Sequence, residues 1–255
     1  IEKSFIKKKK PKNLTIFHIT GLGAVDKYGL NHLNHIGLIS KVIGGNYGLQ
    51  IPFMKNLIVG NKIEAYNFPQ GILSQMCRTM ASKQPGIITK VGLNTYMDPR
   101  IEGGKMNKKT KKNLIDLIKI GGQDYLFYKA PRPDIAIIRG TSIDKDGYVY
   151  MDHEATTRED LSIAQAVHNN GGVVICQFKK FIKKKYTNPH LAKIPSFLID
   201  YYVHDPLQKQ TYVTKYDKFR SGEKPLKRPK LDKIILDIRK VLARRAALEL
   251  RRDDV

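Results

Sequence analysis

Disulfides, metal clusters and membrane spans all lack the residues they would need in this sequence. Two cysteines in 255 residues, Cys77 and Cys176, cannot build a disulfide framework, and neither has a Cys or His nearby at metal-ligand spacing. The seven histidines, at 18, 32, 35, 153, 168, 190 and 204, contain no HExxH, so no metal site is expected. His32 and His35 lie at i, i+3 in a short helical stretch and read as packing rather than as a ligand pair. No apolar run approaches the roughly 18 residues of a membrane span. The first residues, IEKSFIKKKKPK, have neither a Met nor the apolar core of a signal peptide, and suggest a chain entered part-way through. A reducing cytoplasm is the expected compartment. The glycine-rich GGNYG at 44–48 lacks the GK[ST] of a phosphate loop, and no GxGxxG follows a strand.

What is abundant is positive charge. The net charge of +23 gives electrostatic access to nucleic acids, anionic membranes or phosphorylated small molecules, and selects none of them. The lysines run together at 7–10, 108–109, 111–112, 179–180 and 183–185, which reads first as solvated surface. A polyanion-binding role is the alternative. No RNP, zinc-finger or basic-zipper pattern supports nucleic acid as the partner, and no aromatics interleave with the basic runs.

Short β-branched runs recur at 13–20, 62–68, 134–140, 171–178 and 196–203. Several are apolar throughout, as parallel strands covered on both faces are. Between them, residues 70–83 place Ile72, Leu73, Met76, Cys77 and Met80 on one helical face, and 161–171 place Leu161, Ala164, Val167 and His168 likewise. The alternation predicts an α/β fold with an open, mostly parallel sheet flanked by helices. Residues 1–230 read as one domain. Residues 231–255 read as a helix, with Ile234, Ile235, Ile238, Val241, Leu242 and Leu248 near helical spacing.

One segment carries chemistry. In KIEAYNFPQG a strand ends in Pro69, Gln70 and Gly71, and a helix begins at once. Free backbone N–H groups at such a start favour an anion or a developing oxyanion, and the Gln amide adds a donor. A plain structural turn explains the same residues. Cys77, on the apolar face of its helix, reads as a buried hydrophobe rather than a nucleophile.

The stretch 44–107, from GGNYGLQIPF through EAYNFPQGILSQMCRTMASKQPG to DPRIEGGKMN, closely resembles the propionate and acetate CoA-transferases of family I. Further matches follow in order, at 121–155, in LSIAQAVHNNGGVVICQ, at 188–203 and in VLARRAALEL, so the resemblance runs from about Pro11 to the end. It implies an N-terminal half-enzyme of α/β fold in short-chain fatty acid metabolism. The activity implied is exchange of CoA between a short-chain acyl-CoA and a carboxylate through a glutamyl-CoA thioester. The acyl-CoA is the substrate, and no bound cofactor is implied. The family's nucleophilic glutamate lies in the C-terminal half, and none of Glu64, Glu102, Glu154 or Glu249 matches its motif. The chain therefore carries no nucleophile of its own, and alone it is expected to be an inactive fragment. Its partner would be that C-terminal half, on the same polypeptide or a separate subunit, within a homo-oligomer when complete.

By position, Gln70 and Gly71 match the family's P-Q-G turn beside the reacting thioester. Gly44, Gly45 and Tyr47 match a second segment near the acyl pocket, usually GGHW or AGHW, with Asn46 here in place of His. Asn94 stands where relatives usually have Gly. Lysines near the cleft are expected to meet the CoA phosphates. A non-catalytic remnant and an acyl-CoA hydrolase are the competing readings. The preferred acid is not legible, since one methylene discriminates by only about 1–3 kcal/mol.

Overall fold

The computed structural model describes residues 1–23, 28–183, 188–212, 214–226, 235–252 and 254. Strands β1 (Leu14–His18), β2 (Ile39–Gly44) and β3 (Glu64–Asn67) form a parallel sheet in the order β1-β2-β3. A short helix α2 (Ile51–Phe53) passes directly into a π-helical turn at Met54–Val59. The connection covers this sheet with Phe53, Leu57 and Ile58, all buried. Before the sheet, helix α1 (Glu2–Lys8) buries Phe5 and is held down by Glu2, whose carboxylate meets His32 Nδ1 at 2.8 Å and His35 Nε2 at 2.9 Å. His32 and His35 thus serve as polar partners of Glu2 rather than as packing groups, with His32 exposed.

Helix α3 (Gln70–Ala81) leaves β3 with Pro69 as its N-cap residue and buries Ile72, Leu73, Met76, Cys77 and Met80, the face read from the sequence. That face rests on an antiparallel sheet of order β4-β6-β5, made by β4 (Gly86–Thr89), β5 (Ile115–Ile120) and β6 (Gln123–Lys129). These three strands, and β2, lie outside the runs singled out above. β7 (Ile135–Ile143), β8 (Val149–Tyr150), β9 (Val173–Phe181) and β10 (Tyr201–His204) form the third sheet, ordered β10-β9-β7-β8 and parallel except for β8. Helix α4 (Asp160–Asn169) covers one face with Ala164 and Val167, while Leu161 and His168 are exposed. Its neighbours on β7 and β9 include Cys176, fully buried like Cys77. Parallel pairing accounts for four of the seven strand pairs among the described residues, the mixed but mostly parallel arrangement expected of an α/β chain.

Helices α3 and α4 tie the two parallel sheets together. Asn169 Nδ2 donates to the Ala81 carbonyl at 2.7 Å and Asn170 Nδ2 to the Met80 carbonyl at 3.0 Å, while Ile163 and Ala166 join the core around α3. Near the end of the chain, α5 (Ile238–Ala247) is capped by the Asp237 carboxylate, which accepts from the Lys240 N–H at 2.8 Å. Its apolar positions Ile238, Val241 and Leu242 are exposed, as are Ile235 and Leu248 before and after it. Ile234, and the boundary at 230–231 between the two expected segments, lie outside the described residues.

Candidate functional site

The three parallel strands β1, β2 and β3 end side by side at His18, Gly44 and Asn67. In open α/β sheets the crevice beyond such carboxyl ends is where ligands bind. Here a pocket of about 360 Å³ opens there, lined by Ile19, Thr20, Gln70, Gly71, Ser74, Arg158 and Glu159. Gln70 is exposed at the first position of α3, and Gly71 faces open space, with no atom within 4 Å of where a Cβ would be. The first N–H groups of a helix have no intrahelical partner, so the start of α3 presents donors to whatever enters.

Close backbone approach builds this edge. A Cβ on Gly45 would lie 2.4 Å from the Ile19 carbonyl oxygen and 2.7 Å from Gln70 Cγ, so only glycine lets β2 bring Gln70 against the β1 end. A Cβ on Gly44 would lie 2.1 Å from His18 Nε2. In the amide orientation that satisfies both its ends, Asn67 donates to the Gly44 and Gly45 carbonyls at 3.2 Å and accepts from the Tyr96 hydroxyl at 3.3 Å.

Tyr47 is placed differently from Gln70. Its ring is buried and its hydroxyl donates to the Tyr66 carbonyl at 2.8 Å, which leaves no free O–H for a ligand; burial raises its pKa well above the usual phenol range. Its part is to fix the turn after β2. Asn46 closes that turn by accepting from the Gly48 N–H at 2.8 Å. The structure therefore brings Gln70, Gly71 and Gly45 together at one pocket, and sets Gly44 and Tyr47 in the layer beneath.

The sequence reading missed the far wall. Ser74 Oγ donates to Glu159 Oε1 at 2.7 Å and joins α3 to the segment before α4. Arg158 stands beside it as the pocket's cation, a place where lysines were expected. Ser74 lies one helical turn beyond Gln70, and that spacing alone could have marked it.

The glutamates are engaged elsewhere. Glu64 pairs with Lys41 at 2.8 Å across β2 and β3. Glu154 is nearly buried, pairs with Arg139 at 2.8 Å and accepts from Thr141 Oγ1 and Gln208 Nε2; burial pushes its carboxyl above the usual range against the pull of Arg139. Glu249 pairs with Arg245 on the exposed helix α5. Glu102 sits in the loop between β4 and β5, which turns on Asp98. That buried carboxylate accepts from Arg100 Nε at 2.9 Å and Nη2 at 2.6 Å and from the Asn94 and Arg100 N–H groups, and the Arg100 guanidinium holds it well below the usual carboxylate range. Asn94 has φ +58°, a left-handed backbone that Asn tolerates and Gly adopts freely.

Among the described residues no group of three His, Cys, Asp or Glu is set to hold a metal ion, and no helix is long and apolar enough to cross a membrane.

Comparison with known proteins agrees with this architecture. A family model described as coenzyme A transferase matches residues 4–205. The chain is 43% identical over 246 residues to acetate CoA-transferase YdiF of Escherichia coli O157:H7, covering 96% of this chain and 46% of that protein. It is 38% identical over 250 residues to caffeate CoA-transferase of Acetobacterium woodii, covering 96% and 47%. A crystal structure of the E. coli O157:H7 acyl-CoA transferase YdiF, a thioester complex with CoA, superposes with a TM-score of 0.90 at 42% identity, over 98% of this chain and 48% of that one. The chain spans about half the length of the curated relatives it matches.

Proposed function

This chain belongs to the coenzyme A transferase family, and from that premise we propose that it forms one half of an enzyme exchanging CoA between a short-chain acyl-CoA and a carboxylate. The observation that carries the reading is the placement of Gln70 and Gly71, donors at the start of α3, on an open pocket at the carboxyl ends of three parallel strands. On this reading residues 1–230 are the catalytic half-domain and 231–255 lead toward the C-terminal half, which supplies the nucleophilic glutamate.

The chemistry divides accordingly. The glutamate carboxylate attacks the thioester carbonyl carbon, and the carbonyl oxygen takes up negative charge. Donors aimed at that oxygen lower the barrier because they are already oriented when charge develops. Here they are the Gln70 amide and the Gly71 N–H. Collapse expels CoA as thiolate and leaves an acyl-glutamyl anhydride. The thiolate then attacks the glutamyl carbonyl, releasing the first acid and forming glutamyl-CoA, and the acceptor acid runs the sequence in reverse. Ser74, Glu159 and Arg158 form the wall opposite, with Arg158 available to the acceptor carboxylate. Gly44, Gly45 and Tyr47 keep the strand ends close enough for Gln70 to reach the thioester.

The test is exchange of isotopically labelled acetate into propionyl-CoA by the full protein that carries this sequence. Labelled acetyl-CoA with ping-pong kinetics is expected. Hydrolysis to free CoA without exchange would mean that water is the acceptor. Acyl-independent binding of a polyanion that weakens steeply with salt, with no exchange, would replace the proposal by the basic-surface reading.

A further inference from the structure

His18 is the last residue of β1, only 4% exposed, and its ring is fully committed on one side and unanswered on the other. Nδ1 lies 2.7 Å from the Thr20 carbonyl oxygen. A carbonyl can only accept, so Nδ1 carries the proton and Nε2 is left as a bare lone pair. Nε2 is buried without a partner among the described residues, directly over Gly44. The ring also meets Tyr47 edge-on at 5.2 Å between centroids. No charged side chain takes part in these contacts, and burial lowers the pKa of the imidazole, so it stays neutral near pH 7.

A buried nitrogen left unsatisfied is costly, and a chain that only needed to fill this space could use an apolar ring. What the imidazole adds is the bond to Thr20. Thr20 and Ile19 are the β1 side of the pocket, and the Ile19 carbonyl lies against Gly45, which also meets Gln70 and Leu73. We infer that His18 is a positioning residue of this pocket, a ring wedged over Gly44 whose Nδ1–H holds the Ile19–Thr20 wall at the spacing Gln70 requires. Its kinetic consequence rests on the proposed function; its tautomer does not.

Two substitutions separate the bond from the volume. In His18→Asn the side-chain N–H can occupy the place of Nδ1 and donate to Thr20, while His18→Phe keeps the ring and loses the donor. In the full protein, His18→Phe is expected to raise KM for the acyl-CoA about tenfold with kcat changed less than about threefold, and His18→Asn to stay within about twofold of wild type in both. Equal behaviour of the two variants would overturn the inference. Nitrogen-15 NMR of the wild-type chain reads the ring directly. A neutral Nδ1–H tautomer that titrates below the ordinary histidine range is expected. An Nε2–H tautomer, or titration near an ordinary histidine pKa, would overturn the inference even if His18→Phe fails to fold. If the full protein exchanges no CoA while the NMR result is as expected, the proposed function fails and the role of His18 in holding the wall stands.

Discussion

At the carboxyl end of the β1–β3 sheet, Gln70 is exposed on an open pocket, whereas beside β7 most of the polar groups are spent on one another, with the buried Arg139 Nε left over. Arg139 donates there to Glu154 and to the Lys209 and Gln210 carbonyls, Gln208 bridges Glu154 and the Gly140 carbonyl, and Gln210 donates to the His153 and Asp217 carbonyls. Both regions are built on parallel pairing, β1-β2-β3 and β10-β9-β7, and the helices beside them, α3 and α4, pack together. The difference teaches where reactivity can reside: side chains held by one another have few donors left to offer a substrate, and an exposed strand end keeps them.

Substitutions can sharpen or break that contrast. The largest effect is expected from Gln70→Ala, which should slow turnover of the full enzyme by about 10²–10³-fold while leaving the urea midpoint unchanged, since the side chain is exposed. An unchanged rate removes Gln70 from the site. Arg139→Leu should do the reverse: loss of the cation orphans a nearly buried carboxylate and costs about 2–3 kcal/mol in urea unfolding, toward the low end because Arg139 is itself partly exposed. A loss of turnover at full stability would erase the distinction between the two regions.

Asp98→Asn comes next and has a pH signature. The folded pKa of Asp98 lies below its unfolded value of about 3.9, so the stability it contributes is complete above that pH and is lost as pH falls through the folded pKa. Wild type and variant should therefore differ most at neutral pH and begin to converge only as pH falls below about 4 in thermal unfolding followed across pH. Glu64→Gln should matter least, about 0.5 kcal/mol with full turnover, because its partner Lys41 lies at a half-exposed sheet surface. A large loss of rate would make Glu64 chemical after all.

Much of the α/β frame was legible because parallel strands must be apolar on both faces, and β1, β3, β7, β9 and β10 all fall in or at the edge of such runs. The antiparallel sheet was not, because β4 is four residues long and β5 and β6 mix polar with apolar positions. Gln70 and Gly71 could be read from the strand-to-helix turn. The Ile19–Thr20 wall and Arg158 could not, since they arrive from β1 and from the segment before α4, distant in sequence and joined only by folding. His18 was invisible for a related reason. What makes it unusual is the glycine under its ring, and no local pattern links residue 18 to residue 44.

The two thiols bear on the chemistry from the opposite direction. A protein that handles activated acyl groups and free CoA invites capture by its own cysteines, through acyl transfer to sulfur or mixed disulfides with the released thiol. Burial pushes both Cys77 and Cys176 up to about 12, which keeps them as neutral thiols at pH 7, and neither is exposed. The cores that hold α3 and α4 in place thereby keep both thiols out of reach of the group the chain is proposed to exchange.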